Sequence, residues 1–248
     1  MRSRYPSASS FSYSFGPGPV TPVIKVLIGV NVAAFVVTYF MPVLMRTLWL
    51  RPADVVEHFA VWQIVTYLFL HAGAMHLLLN MLTLWMFGVE LERMWGPTYF
   101  TKFYFVSGIG AGVLQVLLGV LPFGFAAQFY FPSTVGASGA IYGLLLAYAL
   151  YFPNRPILIF GIFPLPAKAF VAIYGAFDLL YAFGGGGGVA HTAHLGGLAA
   201  GYLYLKGARL HLISEIQYRY LKWRINRARR RFDVYSGGRA DDVDRRVH

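Results

Sequence analysis

The chain has 248 residues, of which 57% are hydrophobic and only 12% charged, and its mean hydropathy is +0.55. Soluble domains hold roughly 45–50% apolar and 25% charged residues, so the composition excludes an ordinary soluble enzyme and indicates an all-α polytopic membrane protein. There is no cysteine, which excludes disulfides, thiol catalysis and cysteine-ligated metal.

Residues 1–21 are rich in Ser, Gly and Pro and read as a disordered cytoplasmic N-terminal segment. The apolar run that follows is longer than the h-region of a signal peptide, about 7–15 residues. It predicts a first transmembrane helix over about 22–41, since a span needs roughly 20 apolar residues. Five further helices are predicted at about 74–91, 99–120, 136–152, 167–183 and 191–207 by the same criterion. The connection 42–73 mixes Arg51, Asp54, Glu57, Trp62 and Gln63 with apolar residues and reads as partly embedded in the membrane interface. The stretch NRPILIFGIFPLPAK, broken by Pro156, Pro164 and Pro166, reads as a loop or short interfacial segment. The run Gly184–Gly188 reads as a flexible turn into the sixth helix.

The net charge of +11 is uneven: from Lys206 onward there are twelve Lys or Arg against five acids, a net of +7. Arg2, Arg4 and Lys25, then Arg93 and Lys102, then Arg155 and Lys168, then this tail all fall on one side if both termini are cytoplasmic. The division expected is therefore a membrane domain over 22–206 and a basic cytoplasmic tail over 207–248. That tail would start as an amphipathic helix on anionic lipid and be disordered beyond Asp233. No nucleic-acid module surrounds the charges, so no nucleic-acid partner is expected.

In this topology the second, fourth and sixth helices start at the outer face, and their starts carry His71, His76 and Asn80, then Ser138, then His191 and His194. Polar groups at such places are costly and point to function. His76 and Asn80 are four residues apart and share a helix face. Gly139 and Gly143, and Gly197 and Gly201, form GxxxG pairs that let two helices approach closely, which would bring His194 to Ser138. The serine is then packing glue, a backbone cap or a nucleophile activated by the histidine. The nucleophile reading gains from the unpaired N–H groups at the helix start, which would face an oxyanion together with His76 and Asn80. A zinc site from His71, His76, His191 and His194 is an alternative, set aside because no HExxH is present and no Asp or Glu is expected near them. Asp178, on the fifth helix, reads as a partner for a neighbouring hydroxyl rather than as a triad acid.

Taken together these residues resemble the rhomboid intramembrane serine proteases, over about residues 22–206. HAGAMHLLLN is similar to the family's second-helix pattern, GASGAIYG (with Gly136 and Gly139 around Ser138) to its GxSG motif, AHLGGLAAG to its AHxxGxxxG, and LERMWG to its cytoplasmic turn. The resemblance implies a six-transmembrane-helix rhomboid-like bundle with Ser138 as nucleophile, His194 as base, His76 and Asn80 in the oxyanion hole, and Tyr142 packed on His194. It implies transmembrane protein substrates in a lipid bilayer and no metal or cofactor; the compact six-helix layout fits a bacterial inner membrane best, with an organellar membrane as the alternative. Where the family often has Trp-Arg in the first loop, this chain has Trp62-Gln63. A non-proteolytic membrane chaperone or scaffold that binds client helices is the second reading on the same fold.

Overall fold

The computed structural model describes residues 16–124, 126–159, 162–183, 189–209, 220–225 and 227. The chain divides into two compact units, 1–205 and 206–248.

In the first unit, α1 runs over Pro22–Phe40. Its opening turn is held by a residue far along the chain. Glu92 is 3% exposed and accepts hydrogen bonds from the Val23 and Ile24 N–H groups at 3.1 Å each and from the Thr21 hydroxyl. The first N–H groups of a helix have no intrahelical partner and carry its positive dipole end, so a buried carboxylate there satisfies them and is itself satisfied. Of the N-terminal segment expected to be disordered, residues 1–15 lie outside the described residues. Residues 16–20 are fastened: Arg93 donates to the Pro17 and Pro19 carbonyls at 2.6 and 2.8 Å, and Trp85 Nε1 to Gly18 at 3.3 Å. Val26 (62% exposed), Val30, Val36 and Val37 point outward from α1, a surface suited to lipid rather than water.

The connection after α1 folds into α2 (Pro42–Leu48), α3 (Pro52–Glu57), α4 (Gln63–Thr66) and a single 3₁₀ turn, Tyr67–Phe69. Proline opens α2 and α3, a position where its missing N–H is no loss. Gln63 is buried and ties this region together. Its Oε1 accepts from the Arg51 N–H at 3.0 Å, and its Nε2 lies 3.4 Å from both the Thr47 carbonyl and Asp54 Oδ2.

Two long helices follow, α5 (Ala74–Trp95) and α6 (Pro97–Gly119), joined at Gly96, whose φ of +77° an L side chain rarely adopts. After a short α7 (Ala127–Tyr130) the chain pairs Thr134 with Leu50 and enters α8 (Ser138–Tyr151). The proline-rich stretch then departs from the loop expected of it. It forms an antiparallel hairpin, β1 (Pro156–Ile159) against β2 (Phe163–Pro166), with Pro156 opposite Pro166 and Ile159 opposite Phe163. Prolines bar a helix here, whereas β-branched Ile157 and Ile159 favour extended backbone. Helices α9 (Ala167–Phe183) and α10 (Val189–Arg209) complete the unit. The Gly184–Gly188 turn lies outside the described residues.

The six helices expected from the sequence thus form within a few residues of their predicted limits. Among the described residues, α1, α5 and α6 are long and apolar enough to cross a membrane by length and composition, and α8 is a shorter apolar helix. The core between them is aromatic: Tyr67, Phe100, Phe103 and Tyr104 are fully buried with Leu84, Leu91 and Leu144. In the second unit residues 220–225 are helical, with Tyr220 stacked on Trp223 and Arg227 over the Trp223 ring. The expected disorder beyond Asp233 lies outside the described residues.

Replacing Glu92 by Ala strips the α1 start of its acceptor and leaves buried N–H groups unpaired. The Glu92→Ala variant is expected to lose about 2–3 kcal/mol of stability, read as a lowered unfolding midpoint in mixed micelles.

Candidate active site

The site is assembled at the first turn of α8. Its approach is fixed by Gly136, whose N–H donates to the Tyr67 carbonyl at 2.9 Å and whose φ of +124° suits only glycine. A Cβ at Gly136 would lie 2.9 Å from His76 Nε2 and 3.7 Å from Ser138 Oγ, so the His76 ring and the serine hydroxyl flank one small space. Ser138 is the first residue of α8. The Ile141 N–H bonds the Ala137 carbonyl, and the N–H groups before it belong to the unpaired first turn of a helix.

His194 reaches this hydroxyl from α10. Its Nε2 is 2.9 Å from Ser138 Oγ. Its ring lies on that of Tyr142, with centroids 4.1 Å apart and planes within 9°, and Tyr142 is one helical turn beyond Ser138. The approach of the two helices is closer than side chains would allow. A Cβ at Gly197 would fall 1.8 Å from the Gly139 carbonyl oxygen, and one at Gly201 would fall 3.1 Å from the Gly143 Cα. The two GxxxG pairs therefore meet face to face.

On its other edge His194 Nδ1 is 3.2 Å from Asp178 Oδ1, and His191 Nδ1 is 2.5 Å from the same oxygen. With the carboxylate accepting from Nδ1–H, a neutral His194 ring presents the lone pair of Nε2 to the serine. Asp178, expected to serve a hydroxyl, lies within reach of the Tyr142 hydroxyl and faces two imidazoles as well; it lies on α9 and is 3% exposed. The sequence reading missed this because 16 residues and a glycine run separate Asp178 from His194. The only available signal was a lone acid inside an apolar helix. The expectation that no acid lies near the histidines fails for the same reason.

His76 and Asn80 lie on one face of α5 as expected. The Asn80 Nδ2 donates to the His76 carbonyl at 2.8 Å, which leaves its second amide hydrogen for another acceptor. His71 precedes α5 in the loop and sits 5.0 Å from the His76 ring, centroid to centroid.

Among known proteins, a Rhomboid domain model matches residues 58–209. The chain is 35% identical over 138 residues to Rhomboid protein 1, mitochondrial, of Saccharomyces cerevisiae, covering 55% of this chain and 38% of that protein. It is 32% identical over 157 residues to RHOMBOID-like protein 1 of Arabidopsis thaliana, covering 60% and 35%. It is 28% identical over 192 residues to Rhomboid protease GlpG of Yersinia pestis, covering 75% and 61%. The chain thus spans between 35% and 61% of the length of these relatives.

Two outcomes follow from the packing. Gly197→Ala is expected to force α8 and α10 apart and to lower both stability and any reactivity of Ser138, since its new Cβ meets backbone oxygen. Gly29→Ala, where a Cβ meets nothing within 4 Å among the described residues, is expected to be neutral or stabilising by up to about 1 kcal/mol. Thermal unfolding of the two variants in detergent compares them directly.

Burial, and then the neighbouring His76, push the His71 pKa down from its ordinary 6.5 to about 4. The unfolded chain takes up that proton first, so the stability is intact above about pH 6.5 and is lost as pH falls toward 4, by on the order of 3 kcal/mol. A His71→Phe variant is expected to flatten the acid limb of a stability–pH profile.

Proposed function

The chain belongs to the rhomboid family, and from that premise we propose that it is a serine-type endopeptidase that hydrolyses peptide bonds in or near transmembrane segments of other membrane proteins. The observation that carries the reading is the 2.9 Å contact between Ser138 Oγ and His194 Nε2, made between two helices whose backbones touch.

In the proposed reaction Ser138 Oγ attacks the scissile carbonyl carbon as its proton passes to His194 Nε2. The oxyanion is held by the Ser138 N–H at the positive end of α8, with the His76 ring and the free amide hydrogen of Asn80 beside it. His194 then gives its proton to the leaving amine, and water cleaves the acyl-enzyme by the reverse sequence. Tyr142 keeps the His194 ring in plane, and Asp178 positions it through Nδ1. Gly136, Gly139, Gly197 and Gly201 serve by making room.

The architecture proposed is six spanning helices, α1, α5, α6, α8, α9 and α10, over residues 22–206, with both termini cytoplasmic and a basic tail over 207–248. Helix α8 has 14 residues, about 21 Å, against a hydrocarbon core of about 30 Å. Anchored at its cytoplasmic end by the ion pair of Arg155 with Glu90, it starts below the outer surface, so Ser138 lies at the floor of a cavity open to the outside. Water reaches it there, and a substrate helix must unwind locally to offer its carbonyl. The bilayer is that of a bacterial cell membrane in this reading.

The test is cleavage of a labelled single-pass protein, with small and helix-breaking residues in its span, by the purified chain in liposomes. Ser138→Ala and His194→Ala are each expected to lower the rate by at least about 10³-fold while the protein stays folded. Asp178→Asn is expected to lower it by less than the roughly 10⁴-fold seen for an unshared triad acid, because Tyr142 also holds the ring. Cleavage that survives Ser138→Ala would contradict the reading. Folded wild type that binds client helices without cutting them would instead favour the scaffold.

A further inference from the structure

Asp178, His191 and His194 are more than a positioning device needs. One carboxylate and one imidazole suffice to orient a base, yet a second imidazole is set on the same carboxylate oxygen. The other oxygen, Oδ2, is buried and makes no well-formed hydrogen bond among the described residues, with the Tyr142 hydroxyl within reach of the carboxylate. A buried carboxylate oxygen without a well-formed hydrogen bond is uncommon and asks for a cation or a donor.

We propose that Asp178, His191 and His194 form a binding site for a transition-metal cation of the Zn²⁺ class, and that its occupancy switches the Ser138–His194 pair off. The second half rests on the protease reading; the first does not.

The three residues each offer one ligand atom, and these atoms lie within 4.8 Å of one another. A tetrahedral centre with bonds of about 2.0–2.1 Å sets its donors about 3.4 Å apart. His194 Nδ1 and Asp178 Oδ1, at 3.2 Å, are close to that spacing already. The 2.5 Å contact of His191 with Asp178 must open, and both Nδ1–H···Oδ1 hydrogen bonds are exchanged for bonds to the cation, with Oδ2 available as a second carboxylate ligand atom. Two imidazoles and one carboxylate suit Zn²⁺ and its neighbours, whereas Ca²⁺ and Mg²⁺ take oxygen ligands. Both rings are already held in plane, His194 by Tyr142 and His191 by Tyr181, whose centroid is 5.4 Å away at 26°. Access runs past His191, whose side chain is 29% exposed, against 5% for Asp178 and 16% for His194.

The switch follows from where the protons sit. Without the cation, each neutral ring carries its proton on Nδ1, donated to Asp178. With the cation, Nδ1 of each ring supplies a lone pair to the metal and the single ring proton moves to Nε2, with none gained or lost overall. The Nε2 of His194 then presents N–H to Ser138 where it had presented a lone pair, and the serine loses its base.

The experiment uses the full chain in nanodiscs after chelator treatment, as wild type, Ser138→Ala, His191→Asn and Asp178→Asn. Zn²⁺ binding is measured by equilibrium dialysis and Co²⁺ binding by visible absorption, neither of which needs activity. Wild type and Ser138→Ala are expected to bind one cation per chain, and both ligand variants to bind at least about 100-fold more weakly. Cleavage by wild type is expected to fall in saturating Zn²⁺ and return on chelation, while His191→Asn, compared with its own metal-free rate, is unmoved. Absent binding to folded, active wild type overturns the site and leaves the protease reading intact. Equal binding by wild type and both ligand variants places the metal elsewhere and also overturns it. One cation bound through these residues to a chain that never cuts upholds the site and removes the protease reading.

Discussion

The structure depends on one backbone contact. Gly197 lies so close to Gly139 that a single methyl group would sit 1.8 Å from the carbonyl oxygen. In lipid no hydrophobic force draws helices together, because the tails are as apolar as the side chains they would replace. Association rests on dispersion and polar contacts, and both grow as backbones approach. The Gly139–Gly143 and Gly197–Gly201 pairs provide that approach, and the Ser138–His194 hydrogen bond follows geometrically from it. Without the glycines, two helices about 10 Å apart would hold the serine and histidine out of reach.

The rest of the fold keeps this contact in place and settles the polar groups it needs. Glu92 closes the start of α1 and Arg93 binds the chain before it, so the end of α5 anchors the first helix at two adjacent residues. Gln63 organises the short helices ahead of α5, and Tyr67 in the same region receives the Gly136 N–H that sets the entry into α8. Gln115 donates to Thr134 at 2.8 Å, tying the loop before Ser138 to α6. These bonds satisfy polar groups of the loop and hold it against protein.

Much of this was legible in the sequence because a bilayer imposes strong rules. Hydropathy located all six helices, GxxxG spacing indicated which ones touch, and GASG with AHLGG identified the serine and histidine that meet. What the sequence hid depends on long-range side-chain partners. Asp178 looks like an isolated acid until α9 is packed against α10. Gln63 replaces a familiar arginine, yet still finds Arg51, Thr47 and Asp54 as partners. The Pro156–Pro166 stretch forms a hairpin because pairing satisfies backbone groups that a proline-broken loop would leave open. Asn80 spends one amide hydrogen on its own helix, which no spacing rule foretells.

The most direct test of the account is reaction of the membrane-embedded chain with a fluorophosphonate probe, with the modified residue mapped by mass spectrometry. An activated nucleophile at the start of α8 predicts a single adduct on Ser138 in wild type, and none in a folded His194→Ala chain. An adduct on another hydroxyl, or equal labelling of Ser138 with and without His194, would mean that the close contact of α8 and α10 packs the helices and makes no reagent.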